Sequence, residues 1–186
     1  MELFIYLFAA LFSVLNPIGT VPIFVALTEG YTSAERAKVS LITSINVLII
    51  LLISFFIGQY VLSFFGITIT ALRIAGGIII TSSGFELLNR NFSKNKGINK
   101  KVQKEVQNRT HIALTPLAMP MLAGPGSISL LIAYYQEHNT TSEIIISTIS
   151  ITVVAATIYL VLRSAKKKKK MLGSSGIVAI SRIIGF

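Results

Sequence analysis

The stretch FSVLNPIGTVPIF, residues 12–24, places two prolines and a glycine in the middle of a long apolar run. Proline inside a helix removes one backbone hydrogen bond and clashes with the preceding turn, which costs about 3 kcal/mol. The surrounding run, residues 3–28, holds no charged residue, and roughly 20 apolar residues suffice to cross a bilayer. We therefore predict a membrane-crossing helix that is interrupted near its centre.

The composition of the whole chain agrees with a membrane protein. It is 53% hydrophobic and 13% charged, with a mean hydropathy of +0.74, whereas soluble domains carry about 25% charged residues. The net charge of +10 is collected in blocks between apolar runs, which is typical of membrane-protein loops. A soluble helical bundle would instead need helices with polar outer faces. We expect the lipid bilayer as a partner and no nucleic acid, and a homo-oligomer remains open.

The apolar runs predict six crossings, of which the last is incomplete. Their ranges are 3–27, 39–57, 67–88, 111–135 and 144–162, with a sixth run from 177 to the end. Between the first two we expect a polar loop that includes Glu29, Glu35, Arg36 and Lys38, and between the second and third a turn at 58–66. By comparison with the third crossing, the sixth needs about 11 more residues beyond Phe186 to span the core. We therefore expect a truncated sixth helix.

The distribution of basic residues predicts the orientation. The first, third and fifth loops hold all of the 17 Lys and Arg residues except Arg73 and Arg182, which lie inside apolar segments. Short loops that are rich in Lys and Arg stay cytoplasmic. We expect a bacterial inner-membrane protein with cytoplasmic basic loops and both termini outside. Four tyrosines then lie at the outer interface: Tyr6, Tyr60, Tyr134 and Tyr135.

An internal repeat relates the two halves of the chain. Pro17 and Pro125 are 108 residues apart, and Arg73 and Arg182 are 109 apart. Because each copy has three crossings, the second copy enters the membrane from the opposite side. The sequence thus predicts an all-α integral membrane protein of six transmembrane helices in two inverted three-helix repeats. We expect a single membrane domain, 1–186, made of a first repeat (1–88), a basic cytoplasmic linker (89–110) and a second, incomplete repeat (111–186).

The candidate substrate site follows from the interrupted helices. Broken segments at matching positions of two inverted halves are the best sequence indication of a transporter site. The expected site residues are Asn16, Pro17, Gly19, Arg73, Gly124, Pro125, Gly126, Ser127 and Arg182. In the alternative interpretation the prolines only bend helices and both arginines reach outward to lipid headgroups. In the first interpretation the arginines could meet a carboxylate.

Several functional classes lack support in the sequence. The chain has no Cys and two His, and it contains no HExxH, GxSxG or P-loop motif. We therefore expect neither an enzyme nor a bound metal or cofactor. Aquaporins carry Asn-Pro-Ala in both halves, but the second half here has Gly-Pro-Gly at 124–126. That homology is rejected, although a channel function stays open.

Three motifs together carry a resemblance over essentially the whole chain. FSVLNPIGTVPIF (12–24), ALRIAGG (71–77) with a following Glu86, and TPLAMPMLAGPGSIS (115–129) look like the MarC family of bacterial inner-membrane proteins. The resemblance implies six helices and, through a relation to LysE-type small-solute exporters, a role in transport. Some members are described as neutral amino acid transporters. Our leading hypothesis is a secondary carrier for a small polar solute, and the alternatives are a small channel and a non-transporting membrane scaffold.

Overall fold

The computed structural model describes residues 2–89 and 113–165, and every regular element in these ranges is helical. In chain order the elements are α1 (Glu2–Leu15), α2 (Pro17–Leu27), α3 (Ser33–Phe64), α4 (Ile69–Asn89), a π-helical segment π1 (Ala113–Leu122), α5 (Pro125–Glu137) and α6 (Thr141–Arg163). The all-α class predicted from the sequence is confirmed for the described part of the chain. The predicted sixth crossing lies outside it.

Three segments of the described residues are long and apolar enough to cross a membrane. They are Glu2–Leu27, which contains α1 and α2, then Ser33–Phe64 and Thr141–Arg163. These three correspond to the predicted first, second and fifth crossings. Helix α4 contributes a shorter apolar stretch, Ile69–Ser82, and the predicted fourth crossing is divided between π1 and α5.

The first polar loop is shorter than we predicted. Thr32 caps α3 in a reciprocal arrangement: the Glu35 N–H donates to Thr32 Oγ1 at 3.2 Å, and the Thr32 N–H donates to Glu35 Oε2 at 2.8 Å. Such a capping box satisfies two backbone donors that a helix start leaves free. The helix therefore begins at Ser33, and Arg36 and Lys38 belong to α3 rather than to the loop.

The predicted turn at 58–66 is wrong for residues 58–64, because α3 continues to Phe64. Gly66 makes the turn with a φ of 68°, a conformation that glycine adopts without steric penalty. Gly58 serves close packing instead, since a Cβ there would collide with the side chain of Ile132 in α5. A sequence containing two glycines eight residues apart does not show which one turns the chain.

The helices pack around the two interrupted segments. Helix α3 packs against π1 and α5, and α6 packs against α1 and α2, while α3 and α6 also contact each other. Helix α4 packs against α5. The largest fully buried side chains of the described residues come from α1, α2, α3, π1, α5 and α6: Leu7, Leu11, Leu15, Phe24, Leu51, Phe55, Leu117, Leu122, Leu131, Ile151, Ile158 and Leu162. Each interrupted segment is thus packed against one of the two long helices, α3 or α6.

Candidate functional site

The first break is made by Asn16, which separates α1 from α2. Its backbone is left-handed, with φ 40° and ψ 62°, a conformation that Asn tolerates better than most residues. Asn16 Oδ1 accepts a hydrogen bond of 3.0 Å from the Gly19 N–H, and Pro17 is the first residue of α2, where no N–H is needed. The break is therefore a defined turn with its own cap rather than a loose kink.

Gly19 is required by this cap. A Cβ at Gly19 would lie 2.9 Å from Asn16 Nδ2 and 3.1 Å from Oδ1, so any larger residue would push the amide out of place. Thr20 Oγ1 points back towards the Asn16 carbonyl at 3.4 Å. Pro17 and Thr20 are buried, whereas Asn16 is partly exposed. Asn16 Oδ1 is committed to the cap, and the amide Nδ2 is the side-chain donor that remains for another partner.

The second break separates π1 from α5. The Ala123 N–H donates to the Ala118 carbonyl at 2.8 Å, a five-residue spacing that widens the last turn of π1. Gly124 then adopts an extended backbone and precedes Pro125, the first residue of α5. Gly124 has no side chain to cap α5. The helix start instead carries Ser127, whose Oγ donates to the Gly124 carbonyl at 2.9 Å.

Two contacts fix how the interrupted segments lie against each other. Tyr6 of α1 stacks on Tyr134 of α5, with ring centroids 6.4 Å apart. Nearer to the breaks, a Cβ at Gly126 would lie 3.6 Å from Val14 Cγ1. As the residue number rises from 6 to 14 in α1, the number of the contacting residue in α5 falls from 134 to 126. Helices α1 and α5 therefore run antiparallel. The contact between α2 and π1 continues the same arrangement on the other side of the breaks.

This antiparallel register sets Asn16 opposite Gly124. Helices α2 and α5 both start at this level and run in opposite directions. Their N-terminal ends therefore come together between the two breaks. A helix N-terminus carries a partial positive charge and free N–H groups, and the arrangement can hydrogen-bond an anionic or strongly polar group. Ser127, fully buried, and Gly126 lie in the first turn of α5.

Helix α4 covers the start of α5 through contacts that only small residues permit. A Cβ at Gly76 would meet the side chain of Ser129, and a Cβ at Gly126 would lie 2.9 Å from Ile80 Cγ1. Ser129 Oγ donates to the Gly126 carbonyl at 3.0 Å. Gly126, in the first turn after the second break, thus lies between Val14 on one side and Ile80 on the other.

Arg73 is not placed with the breaks. Its Nη2 donates to Glu137 Oε1 at 2.8 Å, and the two side chains are 46% and 58% exposed. Glu137 lies eleven residues after Gly126, which corresponds to ~16 Å along a helix. Arg73 also borders an open groove of about 550 Å³ on α4 that includes Gly77 and Thr81. Arg182, its expected counterpart, lies outside the described residues.

Sequence reasoning missed a group of polar contacts at the end of the bundle where Arg73 lies. Gln136 donates to Gln59 Oε1, and His138 Nδ1 lies 3.0 Å from Glu143 Oε1. Gln59 and Gln136 are 77 residues apart in sequence, so only the pairing of helices reveals their contact, whereas His138 and Glu143 are five residues apart. All three of the residues Gln136, His138 and Glu143 come from one short loop and its flanking turns.

Three buried hydroxyl groups were also missed. Thr43 Oγ1, Ser147 Oγ and Tyr134 OH have no hydrogen-bond partner among the described residues. Many helical Ser and Thr residues here bond to a carbonyl in the preceding turn, as Ser54 does at 2.7 Å to Ile50. A buried polar group without a partner costs about 1–3 kcal/mol, and sequence alone could not separate these hydroxyls from the bonded ones. Within residues 2–89 and 113–165, no three His, Asp or Glu residues come together as a metal site would require.

Comparison with known proteins gives a consistent set of relatives. The family model described as "MarC family integral membrane protein" matches residues 1–186. A UPF0056 membrane protein of Buchnera aphidicola from Schizaphis graminum is 40% identical over 184 residues, which cover 99% of this chain and 85% of that protein. YvbG of Bacillus subtilis is 40% identical over 69% of this chain and 61% of its own length. The inner membrane protein MarC of Escherichia coli is 41% identical over 63% of this chain and 55% of its own length. No solved structure matches the chain.

Proposed function

The chain belongs to the MarC family of integral membrane proteins, and from this premise we propose that it is a secondary carrier for a small polar solute, such as a neutral amino acid. The observation that carries the proposal is the antiparallel pairing of two interrupted helices whose breaks, at Asn16 and Gly124, lie opposite each other. Unwound backbone inside a membrane is tolerated where it lines a cavity or is buried in protein. Interrupted helices at corresponding positions are the usual site of binding in carriers.

The chemistry of the breaks favours a solute with a carboxylate. The first turns of α2 and α5 direct backbone N–H groups and the positive ends of two helix dipoles to one place. In this proposal the amides of Gly126 and Ser127 bind the carboxylate and Asn16 Nδ2 donates one further bond. Pro17 and Pro125 start the half-helices, and Gly19 and Gly124 keep the backbone close to the solute.

An inverted repeat is part of the proposal and is supported by the packing. A two-fold axis would exchange the first interrupted segment with the second, and α3 with α6. Each of these two helices packs on the interrupted segment that its counterpart follows in sequence: α3 packs on π1 and α5, and α6 packs on α1 and α2. The sequence offset of 108 between Pro17 and Pro125 gives the same exchange. The two halves could then rock about the solute site, as in alternating access.

In this proposal Arg73 does not bind the solute at the two breaks. Because it lies ~16 Å from the breaks along α5 and pairs with Glu137, we assign it to the path by which the solute reaches the site from one side. Arg182 is assigned the same role on the other side by the repeat. The basic loops are proposed to be cytoplasmic, which puts the Arg73 end of the bundle outside a bacterial inner membrane.

Flux in proteoliposomes tests the proposal. Labelled neutral amino acids should enter with saturation and show counterflow. Asn16→Asp keeps a capping oxygen and tolerates the left-handed backbone, but it removes the amide donor and adds a negative charge. We expect it to lower flux at least tenfold, or about 1.4 kcal/mol, at a normal amount of inserted protein. Arg73→Gln should also lower the flux.

Matched controls separate the site from general damage. Asn139→Ala, in the loop before α6, and Arg163→Gln, at the end of α6, should transport like the parent protein. Flux that rises linearly with solute concentration would indicate a channel, and no flux with any solute would indicate a scaffold. If Asn16→Asp and Arg73→Gln transport like the two controls, neither residue belongs to the solute path.

A further inference from the structure

We propose that the α3–α4 hairpin tip, residues 61–67, is an anchor that inserts into the headgroup layer of the bilayer. The tip reads VLSFFGI and contains no charged residue. Turns that face water are usually built from Gly, Pro, Asn, Asp and Ser. Of the five large apolar residues at this turn, Leu62 is buried and the other four are exposed, so these four need an apolar or interfacial neighbour. The inference does not depend on the transport proposal.

The tip is the most exposed apolar part of the hairpin. Phe64 is 85% exposed, Phe65 68% and Ile67 46%. The two phenylalanine rings meet edge to face, with centroids 5.3 Å apart, so they form one compact apolar surface. Gly66 turns the chain with a positive φ, and nothing lies within 4 Å of the position that its Cβ would take. No described residue from another element covers this surface.

The tip continues the membrane-facing surface of α3. Large exposed apolar or aromatic side chains recur every three or four residues along this helix, which places them on one face. They are Leu41, Ile45, Ile49, Ile53, Ile57, Tyr60, Val61 and Phe64. In an integral membrane protein, a wide apolar face with no protein neighbour contacts lipid. The face reaches Phe64 without a polar interruption.

The length of the face places the tip in the headgroup layer. From Leu41 to Tyr60 the helix rises ~28 Å, close to the ~30 Å of a hydrocarbon core. From Tyr60 to Phe65 it rises a further ~7 Å. A bilayer of ~40–45 Å in total leaves ~5–8 Å of headgroup region on each side, which matches the height of the tip.

Polar contacts on the neighbouring helices lie at the same level, where the hydrocarbon core meets the headgroup layer. Gln136 of α5 bonds to Gln59, and Arg73 of α4 pairs with Glu137 at 2.8 Å. The tip projects beyond this level by about the length of one and a half helical turns. Phenylalanine rings next to Tyr60, itself 64% exposed, resemble the aromatic belts that membrane proteins place at the interface.

A second copy of the chain is a weaker choice of partner for the tip. Two phenylalanine side chains bury roughly 200 Å² each, whereas a stable interface buries about 800 Å² on each partner. The tip also has no charged residue that could orient a protein partner. Lipid headgroups, in contrast, accept aromatic rings from any direction.

Tryptophan fluorescence tests the proposal directly, because the chain has no Trp. The probe is Phe64→Trp in phosphatidylcholine vesicles, with quenching by lipids brominated at shallow or deep acyl positions and by aqueous acrylamide. Ile49→Trp, in the middle of the α3 face, is the deep control, and Asn139→Trp, in the exposed loop before α6, is the water control. Phe65→Trp serves as a second probe if Phe64→Trp does not fold.

We expect an emission maximum and an acrylamide quenching for Phe64→Trp that lie between those of the two controls. Shallow bromines should quench it more strongly than deep ones, with the reverse order for Ile49→Trp. Acrylamide quenching equal to that of Asn139→Trp, without quenching by brominated lipid, would place the tip in water and overturn the proposal. Emission that depends on the protein-to-lipid ratio, again without lipid quenching, would assign the tip to a second copy and equally overturn it.

Discussion

Asn16 has two structural roles at the first break. It supplies a left-handed backbone and it caps α2 through the Gly19 N–H. The sequence predicted that the helix breaks here, because Pro17 and Gly19 follow within three residues. It could not predict that Oδ1 accepts a hydrogen bond from the Gly19 N–H. That bond accompanies the left-handed backbone of Asn16, and a residue pattern does not show a φ angle. The side chain that we expected as a free ligand is therefore held in place by the cap, and its amide nitrogen is the donor that remains for another partner.

The two structural roles of Asn16 can be separated by substitution. Asn16→Gly keeps the left-handed turn and loses only the cap, so it should cost a few tenths of a kcal/mol. Asn16→Ala loses the cap and also strains the backbone, and it should cost about 2–3 kcal/mol. Unfolding in detergent by titration with a denaturing surfactant measures both. Equal stability of the two variants would show that the backbone at Asn16 is not left-handed.

The sequence predicted the helical elements better than their ends. The apolar runs located the helices α1–α2, α3 and α6 because hydrophobic length is a property of the sequence alone. The start of α3 at Ser33 and its end at Phe64 were missed. Those ends depend on the Thr32–Glu35 capping box and on the packing of Gly58 against Ile132. The capping box is readable in the sequence as Thr-x-x-Glu at 32–35, whereas the packing of Gly58 needs the tertiary structure.

The contact of α4 with α5 gives a prediction at the scale of elements. Gly76→Ala would place a Cβ 2.7 Å from Ser129 Cβ and should destabilise the protein by about 1–3 kcal/mol. Gly77→Ala is the matched control, because nothing lies within 4 Å of its Cβ position. It should be neutral or stabilising by up to about 1 kcal/mol, since alanine favours helix. The same surfactant titration compares them, and two equally stable variants would contradict the packing of α4.

At the scale of the whole molecule, the sequence predicted two matching breaks, and the structure adds their antiparallel register. The offset of 108 residues between Pro17 and Pro125 related the halves but contained no distance between them. The pairs Tyr6–Tyr134 and Val14–Gly126 supply that information. The orientation of the protein in the membrane still follows from the basic loops alone.

The orientation is tested by labelling. The chain has no Cys, so single cysteines at Lys100, Lys168 and Asn139 report without background. We predict that an impermeant thiol reagent labels Asn139→Cys in intact cells and reaches the two lysine positions only after the membrane is opened, because loops rich in Lys and Arg stay inside. Labelling of Lys168→Cys in intact cells would reverse the assignment.

The central claim, that the two broken helices lie antiparallel with Asn16 opposite Gly124, is tested most directly by cross-linking. The register that pairs Tyr6 with Tyr134 and Val14 with Gly126 also pairs Ala10 with Leu130. We predict that Ala10→Cys/Leu130→Cys forms a disulfide rapidly on mild oxidation in membranes, whereas Ala9→Cys/Leu130→Cys, one residue out of register, does so much more slowly. Equal rates for the two pairs, or no cross-link in either although both proteins insert, would contradict the account.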